Sequence, residues 1–141
     1  MKTFFTSIVL AFLSISTSVN AFEVEGESFI AKFEVTSMTS SEGMSVMTSE
    51  GSVDGYGKVY LTHELTANMG SMNSGSMKGQ ARTMDVDGNY VAASLQGVWR
   101  RTGKELEIIS IDNLSNGTRN FAMGTYDVVT GKGQFDVYPV E

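Results

Sequence analysis

The segment DGNYVAASLQGVWRRTGKELEIISIDNLSNGT, residues 87–118, places two strand-length runs between three glycine turns. Asp87-Gly88 and Asn116-Gly117 bracket the segment, and Thr102-Gly103 divides it. Asp-Gly and Asn-Gly are the strongest short-range hairpin signals, because a type I′ turn needs positive φ at both central residues. In the first run Val91, Ala93, Leu95, Gly97 and Trp99 recur at every second position. That is the period of a half-buried antiparallel strand.

The same punctuation continues outward. Gly88, Gly103, Gly117 and Gly131 follow one another at intervals of 15, 14 and 14 residues. Subtracting a tight turn leaves strands of about ten residues, longer than the usual five or six. Upstream, Phe29, Ala31, Phe33 and Val35 alternate with Ile30, Lys32, Glu34 and Thr36, and Val59, Leu61, His63 and Leu65 share one face against Lys58, Tyr60, Thr62 and Glu64. Near the end, Phe121 and Met123 are expected to pair with Phe135 and Val137. The strands fall over 23–38, 44–50, 56–67, 76–86, 90–101, 104–112, 118–129 and 133–140. This predicts an all-β domain, a single antiparallel meander β-barrel of about eight strands, with a β-sandwich as the alternative. Closure is favoured because long strands in an open sheet would leave long bare edges. Asn68 to Gly79, NMGSMNSGSMKG, breaks the alternation and reads as a flexible loop.

The N-terminus has a different character. Lys2 precedes an uncharged, mostly apolar stretch from Phe4 to Ile15, and Val19-Asn20-Ala21 supplies small residues before a cleavage point. This is the pattern of a signal peptide over 1–21, leaving a single domain over 22–141 that is exported to a periplasm or the medium. The apolar run is too short to span a bilayer as a helix, which takes about 20 residues. No cysteine follows the cut, so no lipid anchor is expected there.

Removing Lys2 with the leader takes the formal charge from −6 to −7. An acidic surface repels phosphate backbones, so no nucleic-acid partner is expected. With no cysteine at all, the domain must stand on its core without disulfides.

Candidate site residues follow from the alternation. His63, the one histidine, lies on the apolar face of its strand; a hydrogen-bonded core residue is the bland reading and a ligand contact the sharper one. Arg82 shares a face with Gln80, Met84 and Val86. Turned inward it would hold an anionic group, and otherwise Ala81, Thr83 and Asp85 face in and Arg82 is solvated. Leu61, Leu65, Leu95 and Trp99 supply apolar lining. Met69, Met72 and Met77, with Met44 and Met47, are thioethers of the kind that suit Cu(I), although their spacing is irregular and no second histidine supports them. No catalytic residue, metal ligand or cofactor is assigned.

The stretch GSVDGYGKVYLT, residues 51–62, together with the turns at Gly88, Gly103, Gly117 and Gly131, resembles the small allene-oxide-cyclase-like barrels. That resemblance implies an eight-stranded meander with a cavity for an apolar ligand. None of the cyclase's catalytic residues matches a position here, so cyclase activity is not carried over.

The leading expectation is a non-enzymatic exported protein that holds a small apolar or amphipathic ligand in the barrel, with His63 or Arg82 orienting a polar head. A cyclase- or isomerase-type enzyme in the same cavity is the second. A structural or interaction protein with a filled core is the third.

Overall fold

The computed structural model describes residues 26–140, and the expected signal segment lies outside them. The described chain forms eight strands: β1 (Phe29–Ser41), β2 (Met44–Val53), β3 (Gly57–Ala67), β4 (Ser74–Met84), β5 (Tyr90–Thr102), β6 (Glu105–Leu114), β7 (Arg119–Asp127) and β8 (Lys132–Val140). Each pairs antiparallel with the next, and β1 also pairs with β8, closing a meander barrel. Closure is achieved by dividing β1 between two partners. Its first half runs from Phe29 opposite Val137 to Glu34 opposite Lys132. Its second half pairs with β2 from Glu34 to Ser41, with a bulge between Val35 and Ser37. A bulge bends and twists its strand, which lets one strand serve both neighbours. The two pairings meet at Glu34, so the barrel closes through that point while each half of β1 keeps one edge outside the ladder.

The hairpin turns differ from the expected type I′. Among the described residues only glycines have positive φ. Gly88 (φ 81°) and Gly117 (φ 89°) instead follow a type I-like turn in three-residue loops. The Gly88 N–H donates to the Asp85 carbonyl at 3.1 Å, and the Asp85 N–H to the Asn89 carbonyl at 3.2 Å. Asx bonds select this geometry. Asp85 Oδ1 accepts from the Asp87 and Asn89 amides at 2.9 and 2.8 Å, and Asn116 Oδ1 from Thr118 at 3.0 Å.

Two further expectations are corrected. The Asn68–Gly79 segment is a loop only as far as Asn73; β4 begins at Ser74, and Met77 is fully buried. Its glycines belong to the sheet. Gly75 faces inward, where a Cβ would strike the Thr66 carbonyl and crowd the Trp99 indole. In β7, Phe121 and Met123 lie opposite Tyr138 and Asp136, while Ala122 and Gly124 lie opposite Val137 and Phe135. The Phe135 ring covers Gly124, and the Tyr126 ring likewise covers Gly133. Large inward rings require an absent side chain across from them, so parity in β7 follows its small residues.

The interior is filled unevenly. Toward the turns at 42–43, 68–73, 103–104 and 128–131, the inward positions carry Met47, Met77, Trp99, Leu106, Ile108 and Tyr126, all buried. The hydroxyls of Ser49 and Tyr126 bond each other at 2.8 Å in this half, and Trp99 Nε1 donates to the Thr66 carbonyl at 3.2 Å. Among the described residues no helix is long and apolar enough to cross a membrane.

Candidate ligand cavity

At the opposite end, around the turns joining β2 to β3, β4 to β5 and β6 to β7, the inward positions are small. Ala31, Ala81, Ala93 and Ala122 come from four different strands, and Ala81 and Ala93 face each other across β4 and β5. Their short side chains cannot meet across the barrel, and a cavity of about 90 Å³ remains. That is room for about three waters at roughly 30 Å³ each, and less than the roughly 150 Å³ that admits benzene. Phe29 and Tyr56, with ring centroids 5.7 Å apart, stand at its outer end, and Phe33 and Phe135 line its wall.

Polar groups enter this cavity from four strands: His63 on β3, Thr83 on β4, Ser110 and Asp112 on β6, and Asn120 on β7. The Ser110 hydroxyl donates to Asp112 Oδ1 at 2.7 Å, and the Thr83 hydroxyl donates to the Val91 carbonyl at 3.4 Å. His63 stacks beside Phe135 (centroids 6.3 Å, planes 5° apart) and meets the edge of Tyr126 at 6.1 Å. Among the described residues, two buried side-chain polar atoms have no hydrogen-bond partner: His63 Nδ1 and Asn120 Oδ1. Buried polar atoms are nearly always paired with protein or water, so both call for a partner from within the cavity.

Burial also sets the charges. Desolvation lowers the His63 pKa from 6.5 to about 4, so the imidazole is neutral at pH 7. Desolvation raises the Asp112 pKa to about 6, against the Ser110 hydrogen bond, which favours the carboxylate. No lysine or arginine lines the cavity. Among the described residues, Asp112 is therefore the one formal charge facing it at neutral pH.

The structure brings together His63, Leu61 and Leu95, which all line this space. It separates them from Leu65 and Trp99, which are buried toward the other end and border a groove of about 320 Å³ there with Met38, Met44 and Met72. Arg82 is not in the barrel. It lies exposed on the outer wall opposite Tyr60 and Ala92, because Ala81 and Thr83 on either side take the inward parity. An orienting role for Arg82 inside the barrel is thereby corrected. The methionines divide as well: Met47 and Met77 are core, whereas Met69 and Met72 are exposed at the far end. Among the described residues no group of three or more His, Cys, Asp or Glu is placed to hold a metal ion.

Sequence does not single out Ser110 or Asn120, and it reads Asp112 with Asp85, Asp87, Asp127 and Asp136 as solvated acids near turns and strand ends; for Asp112 the structure corrects this, placing it in the cavity wall. In β6 the outward Ile109 and Ile111 are as apolar as the inward set, so alternation there gives no direction. The available signal was indirect: Ser110 and Asp112 share the parity of Leu106 and Ile108, and the register places Asn120 opposite Asp112.

A wider groove of about 800 Å³ runs along the outer wall near Lys32, Glu50, Lys104 and Lys132. Its charges are of mixed sign, and three are already paired: Glu50 with Lys58 at 3.2 Å, and Lys104 with Asp127 at 3.3 Å. It defines no ligand chemistry. No protein-family model, no curated protein and no solved structure matches the chain. The functional reading therefore rests on the cavity itself.

Proposed function

We infer that the chain is an exported, non-enzymatic binding barrel whose cavity takes a small amphipathic ligand, or the short end of a longer one inserted past Phe29 and Tyr56. The observation that carries this reading is the pair of unpartnered buried atoms, His63 Nδ1 and Asn120 Oδ1, facing one small cavity among alanines and aromatic rings. A barrel selected for stability alone would fill that space with larger apolar groups, as Met47, Met77, Ile108 and Tyr126 do at their level of the barrel. At about 90 Å³ the cavity does not enclose a lipid-sized molecule. Lys2, the Phe4–Ile15 run and Ala21 support export.

Native mass spectrometry of the protein purified from its own host tests both parts. The expected spectrum shows a chain beginning at Phe22 that carries a small co-purifying mass. An unprocessed chain would overturn export. A ligand-free spectrum, together with no small molecule that raises the melting temperature, would overturn binding.

One observation favours a second reading, an acid–base enzyme of isomerase type. A carboxyl group with its pKa pushed to about 6 shares the cavity with a neutral imidazole, and such shifted groups are frequent at catalytic sites. Incubating the bound ligand in deuterated water separates the two. A binder returns it without deuterium on carbon.

A further inference from the structure

We propose that the ligand is a small organic cation, a primary ammonium on a short apolar stem. This deepens the binding reading and rests on it. Acceptors face the cavity at Asn120 Oδ1, which has no partner, and at the Asp112 carboxylate, whose Oδ1 takes the Ser110 hydroxyl; His63 Nδ1 lies there without a partner as well. Ser110 and Thr83 each spend their hydroxyl proton inside the protein, on Asp112 Oδ1 and the Val91 carbonyl. What is missing is a donor with several protons and, opposite Asp112, a positive charge. A partly buried carboxylate without a cationic partner is unfavourable unless something compensates it, and no lysine or arginine lines this space.

An ammonium group carries three donors and one charge. The remaining wall suits its stem. Phe29, Phe33, Tyr56 and Phe135 offer ring faces that attract a cation and bury methylene groups. Asp54, Asp85 and Asp87 lie in turns at the same end of the barrel, with Lys58, Arg82 and Arg119 on the strands beside them, so the rim is mixed in sign and the selecting charge is Asp112 inside. Inside the cavity an anionic ligand, the kind Arg82 would have served, meets Asp112 and no lysine or arginine.

Three probes with one three-carbon stem test the assignment on the intact mature protein: n-propylammonium chloride, propan-1-ol and sodium propionate. Binding is followed by amide NMR shifts of Ala93 and Ala122. The expected result is saturable binding of propylammonium, at least about ten-fold tighter than propan-1-ol, with propionate inert. Asp112→Asn should erase the advantage of the ammonium, and Ala122→Leu, which fills the cavity, should abolish its binding. Should the alcohol or the propionate bind as well as the ammonium, the cation assignment is overturned while the binding reading stands. Should Ala122→Leu bind propylammonium unchanged, the cation sits elsewhere and the assignment again fails. If none of the three moves any resonance at about 100 mM, the binding reading falls too. The comparison on the unmodified chain decides the matter even if a variant fails to fold.

Discussion

The two halves of this barrel share one backbone pattern and differ in what their inward positions carry. In one half, Met47, Met77, Trp99, Ile108 and Tyr126 interlock, and every large ring has a glycine opposite to receive it. Its polar groups are paired there as well, Ser49 with Tyr126 and Trp99 with the Thr66 carbonyl. In the other half four alanines hold open about 90 Å³, and His63 Nδ1 and Asn120 Oδ1 are left without partners. The contrast teaches that the size and pairing of the inward side chains, not the strands, separate the two halves. The chain can fill such a space when it uses large residues, so the small ones and the unpaired polar atoms mark where stability gave way to another use.

The largest effect expected from this contrast is on stability. Trp99→Ala, in the filled half, removes a buried indole and should lower the unfolding free energy by about 3–5 kcal/mol. Ala122→Leu, in the cavity half, adds a larger side chain where room exists and should change stability by less than about 1 kcal/mol. Urea unfolding of both variants checks the pair. Equal losses would mean the two halves are packed alike.

A smaller effect lies in the pH dependence, where two groups of the cavity half oppose each other. Between pH 4 and 6.5 the unfolded chain holds a proton on His63 that the folded chain lacks, so this term makes stability rise with pH. Between pH 3.8 and 6 the folded Asp112 keeps a proton that the unfolded chain has lost, so this term makes stability fall with pH. In the native protein the two largely offset. Asp112→Asn removes the falling term, so its stability relative to the native chain should grow by about 2 kcal/mol from pH 4 to pH 7. Unfolding curves at the two pH values measure this, and parallel profiles would mean that Asp112 titrates as an ordinary surface acid.

The architecture was legible because alternation and glycine punctuation are local signals repeated along the whole chain. Val59, Leu61, His63 and Leu65 show their inward face in the sequence, and the structure places them inward. Arg82 was ambiguous for a physical reason: with Met84 and Val86 on one side and Ala81 and Thr83 on the other, neither face of β4 is decisively more apolar. The Met-rich segment misled because Gly75 and Gly79 look like loop residues in isolation. Their role, making room for Trp99 and Leu95, depends on a neighbouring strand. Asp112 and Asn120 were hidden for a similar reason. A polar residue announces burial only through the register that brings it inside, and register between strands is a long-range property.

The most direct test of the contrast is the unfolding free energy of Asn120→Leu at pH 7 in ligand-free buffer. If Asn120 is held for a ligand, replacing its unpartnered carbonyl with a methyl-bearing side chain should leave stability unchanged or raise it by up to about 2 kcal/mol. A loss of more than about 2 kcal/mol would show that Asn120 is a paired structural residue, and the cavity half would then be core like the other.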